Sequence, residues 1–467
     1  MSSIKKLTKV EISEVSKLWT NAYPGDGVSQ EAIEGRKEFA AVIIDHLPEH
    51  DLYAFTKENK VLGAMCLVDY KMNLHGTKAA IGGIRAVAVD LLHKKENVCR
   101  ELMTFTCKHF TERDACMLAL YPFRPDFYKK MGFGFGTVLT QYRVKPEFVQ
   151  NHLSKEHLVY LDRNDSQIIT ECYNEFLESN HGMFVKTGPE YHRLFLDDRR
   201  IVGYKEDGKI LGYINFSFKS EQIYKNSLVI HEFIYNDVKA LHELCTFLHT
   251  QKDQFERIIF DTQDEHFHYL FDNPSNGLYN SFNSEYNEFC VSAVGMMYRI
   301  INVKRFFQVL LAYNWNNQTC KLKINIIDSF YKPNNGSVNV NFSNGISTIS
   351  NETNDFDVEI TLGIAEFSLL AMGAVKTAWD MLIVHARFLA NVSISAANRM
   401  MDTFLEITDS FSTMPEQNPW LENESIPFQK YRKILFGRHY ISLYIIQGNV
   451  VYITAVVDSR QDYAWLL

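Results

Sequence analysis

The chain has 467 residues, a formal net charge of -8 at pH 7 and 46% hydrophobic residues. This length exceeds what one hydrophobic core supports, so we expect about three or four domains. The acidic balance argues against a general nucleic-acid partner or an anionic membrane surface, and it suits a cationic small molecule better.

The cysteine pattern indicates the redox compartment of the protein. Eight of them are scattered along the chain without a C-x-x-C pair. This usage is typical of reduced thiols and argues against a disulfide framework or a zinc site. The N-terminal residues contain no apolar signal core, and no run approaches the roughly 18 apolar residues of a membrane span. We therefore expect a cytoplasmic protein with no metal and no membrane partner.

The first predicted elements are two helices followed by a hairpin. The helices cover residues 11–19 and 31–46. The hairpin strands cover residues 51–56 and 61–69, and residues 57–60 between them have turn chemistry.

Residues 82–103 are predicted to form a strand, a basic turn and a helix. Alternating Ala and Val residues give the strand, and Lys94 and Lys95 stand in the turn. The first N–H groups of a helix have no internal partner and lie at its positive pole, which favours a phosphate group. On this stretch alone, an ordinary βα unit is an equally good interpretation.

The next segment carries a more specific motif. A short buried strand at residues 116–120 leads into Phe-Tyr-Lys-Lys-Met-Gly-Phe at residues 127–133. Two helices, a meander, a βα turn, a strand and this short helix resemble the GNAT family of acyl-CoA-dependent N-acetyltransferases. To about residue 375 the order of pieces resembles the Eis-like acetyltransferases, which are hexamers and acetylate polyamine-type substrates such as aminoglycosides.

This resemblance implies an α/β (α+β) multidomain chain with tandem GNAT folds. The N-terminal GNAT domain would cover residues 1–145, and a second, degenerate GNAT-like domain residues 146–290. A truncated sterol-carrier-protein-like α+β domain would cover residues 291–375.

The resemblance also implies acetyl-CoA as the acyl donor. The family's βα turn reads Arg/Gln-x-x-Gly-x-Gly/Ala, and the matching frame here is Lys94-x-x-Asn97-x-Cys99. Asn is the non-glycine residue that best tolerates a positive φ, so the loop can keep its shape, although Cys99 is larger than the usual residue. By the resemblance, backbone groups of three strand residues would bind the pantetheine amides, namely Val87, Ala88 and Val89. The pyrophosphate would be lined by Lys95, Glu96, Asn97, Val98, Cys99 and Arg100.

The acyl end of the site falls on the Met-Gly-Phe helix. By the resemblance, Phe123 and Arg124 would border the acyl group, and Tyr128 matches the family's general-acid tyrosine. A phenol with a pKa of about 10 is protonated at neutral pH and can protonate a leaving thiolate. The alternative is a tyrosine whose ring simply packs on the core.

The second GNAT-like domain lacks a phosphate-cradling turn. We predict a helix over residues 167–177, a hairpin of residues 200–204 and 210–216, and a strand–helix–strand pattern from residue 228 to 261. The turn at residues 236–239 contains no glycine. This predicts a non-catalytic repeat that walls the substrate cleft. Asp261, Asp264 and Glu265 would meet a cationic amine there, or else form an ordinary solvated loop. The strand-like residues 294–301 are predicted to end this unit.

The remainder divides into two further modules. Strands at residues 322–328, 336–342 and 357–361, with helices at residues 306–315 and 364–372, resemble the first two-thirds of a sterol-carrier-like domain. Residues 376–467 resemble a RelE/ParE-like toxin module, on the segments at residues 385–393, 430–433 and 456–463. A helical hairpin at residues 379–392 and 396–414 and strands at residues 430–435, 440–446 and 450–457 are predicted for it.

Members of the RelE/ParE family cleave ribosome-bound mRNA or poison DNA gyrase. In that reading Arg460 and Tyr463 would serve RNA cleavage, and the module would have an antitoxin-like or nucleic-acid partner. Residues 376–467 contain eight Lys/Arg against nine Asp/Glu, so strong phosphate binding is not implied.

The sequence thus predicts an acetyl-CoA-dependent N-acetyltransferase acting on a primary amine of a polyamine or aminoglycoside-like substrate. The alternatives are a RelE/ParE-type toxin effector on an inert acetyltransferase scaffold, and a pure binding or assembly protein. In Eis-like enzymes the C-terminal carboxylate is the general base. Here Leu467 ends a different domain, which predicts slow or absent turnover with intact donor binding.

Overall fold

The computed structural model describes residues 2–222, 225–277, 287–352, 355–373, 394–411, 414–421, 429–437, 439–447 and 450–459. The chain divides into two compact units, Met1–Ala374 and Val375–Leu467. No helix within the described ranges has the length and apolar character needed to cross a bilayer.

The first unit contains the following elements. Its helices are α1 (Ile12–Ala22), α2 (Gln30–His46), α3 (Val98–Glu112), α4 (Pro125–Lys129), α5 (Ser166–Ser179), α6 (Gly188–Leu194), α7 (Val238–His249), α8 (Val303–Val309) and α9 (Ile364–Ala371). Its strands are β1 (Ser2–Lys6), β2 (His50–Lys57), β3 (Lys60–Leu74), β4 (Thr77–Val89), β5 (Met117–Leu120), β6 (Gly134–Phe135), β7 (Leu139–Val144), β8 (Leu158–Leu161), β9 (Arg200–Glu206), β10 (Lys209–Gln222), β11 (Lys225–Tyr235), β12 (Arg257–Thr262), β13 (Cys290–Ala293), β14 (Met297–Ile300), β15 (Cys320–Ile327), β16 (Gly336–Ser343), β17 (Ile346–Ser350) and β18 (Val358–Gly363).

The first sheet has the strand order β1-β2-β3-β4-β5-β14-β6. Helix α3 buries Leu102, Met103 and Phe110 against one face, and α1 packs Val15 and Trp19 on the other. Because both faces are covered, the centre of β3 is an almost continuous apolar run instead of an alternating one. The predicted hairpin and the predicted βα unit are both confirmed in this sheet.

Strand β14 joins the first sheet, although we predicted that it would end the second domain. Met297 pairs with Leu120 of β5 and with Phe135 of β6, so β14 fills the space between two strands that precede it by more than 150 residues. All four residues of β14 are buried. The sequence of a short apolar strand does not indicate its pairing partner. The position of β14 is determined by the free edge of β5, with which it pairs.

The second sheet has the order β13-β7-β12-β11-β10-β9-β8. The predicted hairpin is confirmed as β9 and β10, with α7 packing Leu244 and Leu248 on the sheet. A third sheet, β17-β16-β15-β18, belongs to the sterol-carrier-like part. Its Ile324 and Val340 share one core with Met72 and Ile300 of the first sheet, so this part is packed directly on the first GNAT fold.

The second unit is a helix packed on a small sheet. Its described elements are α10 (Ile394–Ser410), β19 (Arg432–Phe436), β20 (Tyr440–Gln447) and β21 (Val450–Asp458), and the strands form an antiparallel meander. Phe404 of α10 packs on Phe436 of β19. The second predicted helix and the three predicted strands are therefore present.

Several residues that carry the toxin-like resemblance lie outside the described residues. These are the predicted helix at residues 379–392, the segment at residues 385–393, Arg460 and Tyr463. The RelE/ParE-like interpretation of this unit stays a prediction.

Candidate active site

Strands β4 and β5 separate in the middle of the first sheet. Their parallel pairing covers only Ile81 with Met117, Gly82 with Leu118 and Gly83 with Ala119. Strand β4 continues for six residues beyond Gly83, whereas β5 ends one residue after Ala119. The two strands therefore open a V-shaped gap whose walls expose backbone groups with no strand partner across it.

A β-bulge lies on β4 at this gap. Ala86 and Val87 stand opposite the single residue Met65, and Ala86 has a φ of 52°. Bulges redirect backbone groups and are common beside active sites. Trp19 of α1 and Tyr23, which follows α1, hold this bulge in place. Trp19 Nε1 donates to the Ala86 carbonyl at 2.8 Å, and Tyr23 Oη donates to the Val87 carbonyl at 2.7 Å.

The turn that follows β4 has the backbone shape of a glycine-containing loop without containing glycine. Lys95 has a φ of 71° and Asn97 a φ of 64°. The expectation that Asn97 takes a positive φ is confirmed. The Asp90 carboxylate fixes the start of the turn, since it accepts hydrogen bonds from the Leu92 N–H at 3.0 Å and from His93 Nδ1 at 2.7 Å.

Helix α3 begins immediately after this turn with its N-terminus free. Asn97 occupies the N-cap position, and no side chain among the described residues caps the helix. Lys94, Lys95 and Glu96 are exposed around it. Free N–H groups at the positive end of a 15-residue helix form a site for a phosphate group. Arg100 is less available than predicted, because its guanidinium lies 5.4 Å from the centre of the Phe330 ring.

The matching helix in the second domain is closed to an anion. Helix α7 has Asp237 at its N-cap, and the Asp237 carboxylate accepts a hydrogen bond from the Lys239 N–H at 2.7 Å. A carboxylate thus caps the N-terminus of α7, whereas no side-chain cap is present at the described N-terminus of α3.

Tyr128 on α4 is buried, with 3% of its surface exposed. Its ring meets Phe123, Phe127 and Phe133 edge to face, with centroid distances of 5.9, 5.5 and 5.7 Å. None of the described residues hydrogen-bonds to its hydroxyl. Burial raises the pKa of Tyr128 well above that of a free phenol, with smaller contributions from Cys99 and Tyr23. The hydroxyl is therefore protonated at neutral pH and has no protein acceptor for its hydrogen.

Phe123 and Arg124 precede α4 and differ in their surroundings. Phe123 is 65% exposed and touches the Tyr128 ring. Arg124 is exposed and bound to Asp126, Nη2 to Oδ2 at 2.6 Å, so its charge is already compensated.

A cavity of about 530 Å³ lies on the other side of the gap. Ile84 and Arg85 of β4 and Leu120 and Tyr121 at the end of β5 form one wall. The second domain forms the opposite wall, with Lys186, Glu190, Arg193, Arg199, His231 and Glu232. This volume is in the range that accommodates a small-molecule ligand.

The predicted acidic cluster of the second domain is not part of this wall. Of the described residues that line the cavity, none is Asp261, Asp264 or Glu265. Asp261 instead accepts a hydrogen bond from Gln141 Nε2 at 2.9 Å. The residues that sequence reasoning missed are Trp19, Tyr23 and the cavity wall of α6 and β11. The spacing of Trp19 and Tyr23 by four residues on an apolar helix face could have indicated the first two.

Three comparisons with known proteins bear on this arrangement. Residues 3–136 and residues 182–300 each match a family model described as an acetyltransferase (GNAT) domain. Residues 303–381 match a sterol carrier protein domain. No curated protein matches the chain.

Solved structures share the fold at low sequence identity. A GCN5-related N-acetyltransferase from Anabaena variabilis has a TM-score of 0.66 at 17% identity, over 80% of this chain and 89% of that one. A probable N-acyltransferase from Enterococcus faecalis has a TM-score of 0.65 at 16% identity, over 80% and 89%. Eis1 from Mycobacterium abscessus has a TM-score of 0.61 at 13% identity, over 82% and 92%. The chain therefore contains two GNAT acetyltransferase domains followed by a sterol carrier protein domain, and the solved structures share this fold.

Proposed function

We propose that the first GNAT domain binds acetyl-CoA and transfers its acetyl group to a primary amine held in the cavity. The observation that carries this proposal is the gap between β4 and β5. The residues that flank its opening, Ile84 and Leu120, also line the cavity, so a thioester held in the gap can meet an amine held between the domains.

The donor would be held chiefly by backbone groups. The bulged end of β4, Val87 to Val89, would bind the pantetheine amides, and residues 95–100 would surround the pyrophosphate. The positive φ angles of Lys95 and Asn97 support the second assignment, because they turn the loop around the free end of α3. The Val87 carbonyl already accepts one hydrogen bond from Tyr23, which leaves one lone pair for a ligand.

The chemical step requires one bond to form and one to break. The neutral amine nitrogen attacks the thioester carbonyl carbon, and a C–N bond forms while the C–S bond breaks. The nitrogen loses a proton to solvent or to a base, and the departing thiolate receives a proton from Tyr128. The Tyr128 phenol is protonated at neutral pH, as the acid role requires, while its raised pKa makes it a weaker proton donor than a free phenol.

In this proposal the second GNAT domain serves as a wall of the acceptor cavity and binds no donor. The Asp237 carboxylate supports this, since it occupies the helix end where a pyrophosphate would lie. An Eis-type hexamer and a polyamine or aminoglycoside-like acceptor stay predictions from the family resemblance. The alternative toxin function of the C-terminal unit likewise stays a prediction, which growth arrest on expressing the full chain would support.

A calorimetric titration of the full chain with acetyl-CoA tests the donor assignment. We expect one saturable site per chain, and no heat of binding above dilution would contradict it. Mass spectrometry of amine mixtures incubated with acetyl-CoA and excess protein then tests transfer. Excess protein allows even a slow transfer to be detected.

A further inference from the structure

The cavity between the two GNAT folds has an excess of cationic side chains. Its lining contains four of them and two carboxylates. The cations are Arg85, Lys186, Arg193 and Arg199, and the carboxylates are Glu190 and Glu232. The charge that a ligand encounters depends on which of these side chains already have partners in the protein.

Glu232 is already engaged by the protein. Lys186 Nζ lies 2.6 Å from Glu232 Oε2, and Tyr213 Oη donates to the same oxygen at 2.6 Å. The Lys186 side chain is only 6% exposed, and its ammonium lies 3.9 Å from the centre of the Tyr173 ring. This pair is a compensated unit of the cavity wall.

Glu190 is engaged as well. Its Oε2 accepts from the Thr187 N–H at 3.0 Å and also from the Thr187 hydroxyl, while Tyr70 Oη donates to Oε1 at 3.2 Å. Arg85 adds a longer ion pair at 4.0 Å. Each carboxylate therefore already has hydrogen-bond donors and one cationic partner from the protein.

Arg199 is different, because part of its guanidinium has no hydrogen-bond acceptor in the protein. Its Nε and Nη1 atoms are buried and have no hydrogen-bond partner. Its nearest carboxylate is Asp198, 3.5 Å from Nε, and that side chain is 67% exposed. Arg193 lines the same cavity and is exposed, and no described residue forms an ion pair with it. Buried N–H groups without acceptors are costly, and a carboxylate matches the fork of N–H groups of a guanidinium.

We propose that the acceptor is an amine that also carries a carboxylate, as in an amino acid or short peptide. The carboxylate would bind Arg199 and Arg193, and the amine would point toward the gap between β4 and β5. This inference rests on the proposed acetyltransferase function. It departs from the polyamine or aminoglycoside expectation, since a purely cationic acceptor would be repelled by Arg193 and could not supply acceptors to the Arg199 guanidinium.

A matched set of acceptors tests the role of the carboxylate. Lysine, lysinamide and cadaverine share a primary amine on the same carbon chain, and lysine alone carries the free carboxylate. The full chain is incubated with acetyl-CoA and each acceptor, and kcat/KM is measured from the acetylated product. The same assay is run on a mixture of the natural amino acids against a mixture of their amides and polyamines.

We expect acceptors with a free carboxylate to exceed their amides and the polyamines by about tenfold or more in kcat/KM. Arg199→Met should abolish this preference by raising KM, and Arg199→Lys should keep part of it. Arg193→Gln, an exposed change that leaves the fold intact, should reduce it. Arg305→Met, which removes an arginine paired with Asp114 far from the cavity, is the matched control.

Each outcome bears on one of the two proposals. Acetylation of polyamines or amides at least as fast as of amino acids overturns the inference and leaves the acetyltransferase proposal standing. Intact acetyl-CoA binding with no acceptor of either set acetylated also counts against it. Absence of acetyl-CoA binding would instead overturn the proposed function itself.

Discussion

Arg299 and Asp328 form an ion pair with both side chains fully buried, and Arg299 Nη2 lies 2.7 Å from Asp328 Oδ2. Arg299 is on β14 of the first sheet, and Asp328 follows β15 of the sterol-carrier-like part. The Asp328 carboxylate also accepts from the Phe330 and Tyr331 N–H groups at 3.1 and 2.9 Å. The Arg299 guanidinium lies against Gly132 and donates to its carbonyl at 3.4 Å. This pair therefore joins the late strand β14, the Met-Gly-Phe turn and the third sheet.

We predict that breaking this pair from one side destabilises the first unit strongly. Asp328→Ala leaves a buried guanidinium uncompensated and should cost about 3–5 kcal/mol in the free energy of unfolding. The double variant Arg299→Met/Asp328→Asn removes both charges and should recover part of that loss. Urea unfolding followed by circular dichroism measures both. If Asp328→Ala unfolds at the same urea concentration as the parent, the pair does not hold these elements together.

A second prediction concerns the left-handed residue before α3. Asn97→Val places a β-branched side chain at a φ of 64°, which costs about 1–2 kcal/mol. If donor binding requires the left-handed conformation of the loop, this cost is subtracted from the binding free energy, so acetyl-CoA should bind about tenfold more weakly. Asn97→Gly suits the same conformation and should bind as the parent does. Calorimetric titration gives the three dissociation constants, and equal values for Val and Gly would remove this loop from the donor site.

A third prediction separates acid catalysis from packing at Tyr128. Tyr128→Phe removes one hydroxyl and keeps the ring among Phe123, Phe127 and Phe133. We expect kcat to fall by about 10²-fold or more, with acetyl-CoA affinity preserved. Tyr142→Phe, at another buried tyrosine in the second sheet, is the matched control. An unchanged kcat in Tyr128→Phe would assign the residue to the core alone.

The sequence was sufficient for the parts of the site that depend on local chemistry. Asn97 tolerates a positive φ, and residues 98–112 show an apolar face, so the turn and the helix follow from the residues themselves. Gly132 similarly marks a turn, and it has a φ of 83° with Arg299 against it. These features are determined within a few residues of the chain.

The remaining parts depend on contacts between distant segments. Residues 297–300 contain no local signal that identifies β5 and β6 as their neighbours. The hydrogen bonds of Trp19 and Tyr23 to β4 can be predicted only when the packing position of α1 is known. The charge of the cavity could not be predicted either. The carboxylates near residue 261 looked available in the sequence, whereas the carboxylates of the described cavity wall are Glu190 and Glu232, each with a cationic partner. The same wall contains Arg199, whose Nε and Nη1 atoms have no hydrogen-bond partner.

A last prediction concerns pH and the stacked pair His75–His181. The two rings lie 3.9 Å apart and nearly parallel, and the His75 N–H donates to His181 Nδ1 at 3.2 Å. Burial, and secondly the proximity of His75, lower the pKa of His181 to about 4, and burial lowers the pKa of His75. His75 belongs to the turn between β3 and β4, whereas His181 follows α5 of the second domain, so the pair links the two domains.

The sign of the effect follows from proton uptake. In the unfolded chain both rings bind protons below about pH 6.5, whereas folded His181 stays neutral until about pH 4. The stabilising contribution is therefore complete above pH 6.5 and is lost as the pH falls toward 4. We expect the urea midpoint of the first unit to decrease over this range, and His181→Gln to reduce that decrease. His46→Gln, at the exposed end of α2, should leave it unchanged. A pH dependence that is identical in His181→Gln and the parent would show that this contact does not sense protons, and the slope would then be assigned to His50 and His109, whose pKa values burial also lowers.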